Sequence, residues 1–140
     1  MVRLAQGGQS LIALAALLPL VLIPLVMYTV EASLLATRQA RLSSALAQAA
    51  EDAAQQVDSL HYRETGEIRL RADQVRAVAA ASLRASDPGA ELEAATIVGQ
   101  GSVGLSAHER VPLQVAFLWP GAVVILHASS RARIRPGYDP

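Results

Sequence analysis

Leu11 to Val30 form an uninterrupted run of 20 residues without a charged side chain. No other feature limits the fold of this chain as much, because such a run must be buried in a core or placed in lipid. At about 1.5 Å rise per residue, a helix of this length covers the roughly 30 Å hydrocarbon core of a bilayer. The chain has 140 residues, with 52% apolar but only 4% aromatic side chains and a mean hydropathy of +0.32. That is one small domain with more apolar residues than a soluble core of its size requires, so lipid accounts for the run better. Pro19 and Pro24 break soluble helices but are tolerated in membrane helices. Tyr28 falls near the outgoing end, where an aromatic ring suits the interface. The rival reading, a cleaved secretory signal releasing a small domain that begins near residue 33, fits less well. Its n-region holds only Arg3, the run exceeds the usual span of about 7–15 residues, and no convincing A-x-A site follows. Arg3 before the span and Arg38 and Arg41 after it do not assign an orientation.

Charge and composition exclude several classes. Twelve arginines balance twelve acidic residues and lysine is absent, so no net field directs the chain toward nucleic acid. The absence of cysteine removes disulfides, thiol nucleophiles and cysteine-ligated metals.

Beyond Glu31 the sequence becomes amphipathic without a break. Leu35, Leu42, Leu46, Ala49, Ala53, Val57 and Leu60 recur at helical spacing, predicting one buried face. With no Gly or Pro between residues 25 and 65, the apolar span and this stripe read as one rod from Gln9 to Leu60. Its many alanines allow close approach of another element. Glu67–Leu70 alternates as a short strand. Asp73 is the expected N-cap of a second helix over roughly Gln74–Arg84, with Val75, Val78, Ala79 and Leu83 inward. Ser86-Asp87-Pro88-Gly89 closes that helix.

The remainder changes period. Residues 92–98 read as a strand joined through Gly99-Gln100-Gly101 to a second strand whose odd positions, Val103 to Phe117, form one face. Pro112 places that strand at an edge or a bulge. After a turn at Trp119-Pro120-Gly121, the even positions Val124 to Ile134 form one face of a third strand, and His127, Ser129, Arg131, Arg133 and Arg135 the other. The expected fold class is α+β: a long N-terminal helix, transmembrane and then amphipathic, packed on a small antiparallel three-stranded sheet with a second short helix.

Taken in order, these segments resemble a known family. Gly7-Gly8-Gln9-Ser10 runs into the apolar helix, which continues as SSALAQAAEDAAQQV. GEIRLRADQVRAVAAASL, VPLQVAFLWPG and a closing SSRARIRP follow. The order looks like that of the TadE/TadG-like proteins of the Flp (Tad) pilus assembly system and spans about residues 9–136. The resemblance implies a short N-terminal leader or cytoplasmic tail over 1–8, a long helix over 9–60 with its span at 11–30, and an extracytoplasmic α+β domain over 61–140. It implies a single-pass protein of the cytoplasmic membrane, reaching a cell-surface pilus in one form, with pilin-like subunits, secretion machinery and membrane lipid as partners. It further implies cleavage by a prepilin-type peptidase between Gly8 and Gln9, with Gly7 as an alternative. The sequence departs from the family's processed pseudopilins at Ala13, where they usually carry Glu. A cleaved minor pseudopilin and an uncleaved accessory both stay open. The alternative function is a membrane-tethered binding or sensor module outside any filament.

Catalysis finds little support. His61, His108 and His127 fall on different predicted elements without metal-ligand spacing, and Glu109 points to the opposite strand face from His108. No nucleophile elbow is present, and the glycines of GQGSVG precede a strand, whereas a phosphate loop opens a helix. The expectation is therefore no enzyme, no cofactor, no metal and no nucleic acid. The candidate partner-docking residues are Phe117, Leu118 and Trp119 at the hairpin tip and the row Arg131, Arg133 and Arg135. That row either discourages edge pairing or meets an acidic partner or anionic headgroups.

Overall fold

The computed structural model describes residues 6–67, 69–99, 101–114 and 121–134. Within them the chain forms α1 (Gln6–Ala54), α2 (Ser59–Thr65), α3 (Ala72–Ser86), β1 (Ala90–Val98), β2 (Ser102–Pro112) and β3 (Val123–Arg133). The layout is α+β, with one face of an antiparallel three-stranded sheet, in the order β1-β2-β3, covered by helices.

α1 runs for 49 residues and passes Pro19 and Pro24 without interruption, a length of about 74 Å. It ends at Ala54, short of the expected Leu60. The cause is local competition for backbone donors. The amides of Gln55 and Gln56 bond to the carbonyls of Asp52 and Ala53, tightening the last turn. Asp58 then adopts an extended conformation, and its carboxylate accepts the amides of Leu60 and His61 as the N-cap of α2. A side chain that satisfies two orphan donors of a new helix outcompetes continuation of the old one. Leu60 accordingly leaves the buried stripe and is 69% exposed on α2. α2 stops at Gly66, whose φ of +72° is a left-handed cap that glycine adopts without steric cost.

The expected strand over Glu67–Leu70 reduces to one bridge, Val57 with Leu70. It is flanked by bonds from the Asp58 amide to the Arg69 carbonyl and from the Arg71 amide to the Gln56 carbonyl. This bridge holds the chain extended up to Arg71, so α3 begins directly after it, earlier than the sequence indicates. Asp73 is consequently not the N-cap: Arg71 takes that position without a side-chain bond. Asp73 sits in the first turn, 3.5 Å from the Arg71 guanidinium, where a carboxylate still complements the helix dipole.

The sheet differs from expectation in one respect. β2 is its central strand, and Pro112 is that strand's last residue, opposite Val123. A terminal proline withholds its missing amide only at the end of the ladder, which a central strand tolerates. Val103, Leu105, Ala107, Glu109 and Val111 of β2 face inward and are buried. Val103, Leu105 and Ala107 pack with Leu42, Leu46, Ala49 and Ala53 of α1 and Val75, Ala79 and Leu83 of α3 in one core. The alanines on α1 let it and α3 lie close together over the sheet.

Candidate functional site

Two surfaces are available for function, the uncovered half of α1 and the outer face of the sheet. Every described side chain from Leu14 to Val30 is exposed. Among the described residues, α1 is the one helix long and apolar enough to cross a membrane. Exposure of so many large apolar side chains is far beyond the scattered apolar surface of a soluble domain. Thr29, Ser33 and Thr37 follow on one side of the helix. Their hydroxyls donate to the carbonyls of Val26, Thr29 and Ser33 at 2.7, 2.9 and 2.9 Å. Satisfied in this way, they leave a narrow face of small side chains at the foot of the apolar stretch.

The lower half of α1 is fastened to the rest of the domain by polar ties as well as by its alanines. Glu31 accepts the Gln114 amide at 2.7 Å. Arg38 donates to Glu109 at 3.1 Å, Gln39 donates to the His127 carbonyl at 2.8 Å, and Asp52 accepts from Ser82 of α3 at 2.6 Å. These ties run from Glu31 to Asp52, about 32 Å of helix, so the shaft leaves the domain in a defined direction.

Gly8 and Gln9, the expected cleavage pair, lie in the first turns of α1. Arg131 and Arg133 stand on the outer sheet face, exposed, opposite Gly104 and Ser102. Arg135 and the tip residues Phe117, Leu118 and Trp119 lie outside the described residues. Arg131 borders a shallow depression of about 520 Å³, floored by Gly104 and edged by Thr96, Ser106 and Ser129. Gly104 keeps the floor low, because a Cβ there would stand 3.1 Å from the Thr96 hydroxyl.

Next to this depression the register builds a row that sequence spacing did not reveal. Glu91 pairs with His108, and His108 pairs with His127, across all three strands. The His108 Nε2 lies 3.5 Å from a Glu91 carboxylate oxygen, and the two imidazole centroids are 6.1 Å apart. The signal available in the sequence was the shared outward phase of His108 and His127 on adjacent strands. Among the described residues, no group of three or more histidine or acidic side chains is placed to hold a metal ion.

Compared with family models, curated proteins and solved structures, the chain matches none.

Proposed function

We propose that this chain is a membrane-anchored, pilin-like packing subunit, either a minor pseudopilin or an accessory component of Tad/Flp pilus assembly or a related secretion system. The observation that carries the proposal is the continuity of α1. One unbroken helix is exposed and apolar from Leu14 to Val30 and buried along one face in a folded domain from Leu42 to Ala54. Such a helix sits in lipid or exchanges lipid for other apolar helices, and its small residues at Thr29, Ser33 and Thr37 allow close helix contact. The work done is packing, with no group required for catalysis. In this reading the N-terminus is cytoplasmic, the sheet domain lies outside the cytoplasmic membrane, and the segment order resembling TadE/TadG-like proteins supplies the system.

The test is the intact mass of the membrane-extracted chain, produced with and without a prepilin peptidase. Peptidase-dependent loss of MVRLAQGG, leaving Gln9 as the new N-terminus, identifies a pseudopilin. A full-length mass in both samples, with the protein co-purifying with pilus-assembly components, identifies the uncleaved accessory. A product beginning near residue 33, or a full-length chain free of any such assembly, overturns the proposal.

A further inference from the structure

Between Arg110 and Arg131 the chain carries a second run of 20 residues without Asp, Glu, Lys or Arg. Packing under the sheet accounts for Leu126 and Ala128, which lie against the core. It does not account for Val123 and Ile125, which are 53% and 50% exposed on the outer face. Both stand at one end of the sheet, where Val123 pairs with Pro112 and Ile125 with Arg110. A bond from the Leu113 amide to the Ala122 carbonyl carries the ladder one step further.

Three ties locate that end along α1. Gln39 meets His127 and Arg38 meets Glu109, whereas Glu31, nearer the apolar stretch, meets Gln114. β2 therefore runs toward the shaft, and the chain after it reaches the level of Glu31, directly after the uncharged run that closes at Val30. The headgroup layer adds about 5–7 Å to each side of a bilayer's hydrocarbon core. Val123, opposite Pro112, lies about 7 Å of strand from the level of Gln114. We infer that this end of the sheet rests in the membrane interface as a second lipid contact. Val123 sits in the headgroup layer and Ile125 at its outer border. The exposed Arg110 beside Ile125 extends to lipid phosphates, as a long cationic side chain does at an interface. The inference rests on the membrane-spanning reading of α1. A single helix leaves its domain free to turn about the helix axis; a contact off that axis removes the turn and fixes which face of the sheet meets neighbouring subunits.

The chain has no cysteine, so single nitroxide labels read depth directly. Leu20→Cys, Val123→Cys, Ile125→Cys, Ser129→Cys and Arg131→Cys are labelled in the full chain, reconstituted into vesicles of phosphatidylcholine and phosphatidylglycerol. Val123, Ile125, Ser129 and Arg131 share the outward phase of β3, where successive outward positions are about 6.6 Å apart. They form a depth ladder, and Leu20 marks the bilayer. All these positions are exposed, so the labels leave the fold in place, which circular dichroism checks. Each label's collisions with oxygen, which concentrates in lipid, are compared with its collisions with a water-soluble nickel chelate. The oxygen-to-nickel ratio is expected to be highest at Leu20, raised at Val123, intermediate at Ile125, and at its aqueous value at Ser129 and Arg131. A Val123 label as open to nickel as the Arg131 label, with Leu20 still protected, overturns the inference and leaves the membrane reading intact. Protection of Val123 from both reagents, which marks burial against protein such as a second copy, also overturns it. Nickel access at Leu20 overturns the membrane reading and the inference together.

Discussion

Arg38, in the C-terminal half of α1, donates from Nη1 to Oε1 of Glu109 at 3.1 Å and so fixes the long helix to the central strand of the sheet. The two ends differ in environment. The Arg38 side chain is 49% exposed and that of Glu109 only 8%, and the second Glu109 oxygen is buried with no protein partner. The carboxylate therefore depends on Arg38 far more than the guanidinium depends on it. Removing one partner of such a pair leaves an uncompensated charge, whereas removing both does not. Arg38→Met is expected to destabilise the domain by about 2 kcal/mol, the exposed guanidinium placing the loss below that of a fully buried pair. Arg38→Met with Glu109→Leu is expected to recover most of it. Urea unfolding of the four corners of this cycle in detergent checks both; equal losses in the single and double variants contradict the pairing.

α1 serves two environments, and leucine truncation distinguishes them. Leu42 is completely buried against the sheet and α3, while Leu18 is 58% exposed on the shaft. Leu42→Ala is expected to cost about 2–5 kcal/mol of domain stability through lost burial and the cavity it leaves. Leu18→Ala is expected to leave the unfolding midpoint unchanged. Parallel denaturation curves of the two variants make the comparison, and a large loss from Leu18→Ala would show the shaft to be part of the folded core.

The converse experiment concerns lipid. Leu20→Arg places a charge near the middle of the exposed apolar stretch, where membrane insertion costs about 2.5–3.5 kcal/mol more. Leu60→Arg adds the same charge to α2, where Leu60 is already exposed. The fraction resisting carbonate extraction is expected to fall for Leu20→Arg and to hold for Leu60→Arg.

Asp58 gives α2 a dependence on pH. The amide of His61, and after it that of Leu60, donates to its carboxylate and holds its pKa below the ordinary value of 3.8. A depressed folded-state pKa means that the cap is fully present above the unfolded value and is lost as pH falls through the folded one. Acidification below about pH 4 is therefore expected to release the α2 amides. Asp58→Asn caps without titrating and is expected to abolish that dependence, while Asp58→Ala removes the cap at every pH. Hydrogen exchange of the His61 amide, followed from pH 6 to pH 2.5, reads all three.

The elements defined by periodicity were legible before the structure. The stripe from Leu42 to Ala53, the inward set Val75, Ala79 and Leu83, and the inward phase of β2 all appear where helical or strand spacing places them. The end of the rod was not legible in the apolar pattern, because Val57 and Leu60 continue the helical spacing. Asp58 was the available signal: a capping residue placed where the pattern is still unbroken outcompetes the pattern. Asp73 failed as a cap for a related reason, since the Val57–Leu70 bridge decides where α3 starts. The row of Glu91, His108 and His127 was illegible for a third reason. Spacing along one strand carries no information on the register that decides which residues meet across neighbouring strands.

By itself, then, the sequence determined what local chemistry decides. An uncharged run of 20 residues and a 3.6-residue stripe specify a long helix with one bare and one buried half, and period-two alternation specifies strands with a wet and a dry face. The tertiary structure alone decided which distant residues meet: Arg38 with Glu109, Asp52 with Ser82, and Glu91 with His108 and His127. Such meetings follow from strand order, register and the angle at which α1 crosses the sheet. Those are properties of the whole packed core, because a shift of one residue in any strand would turn its dry face to water.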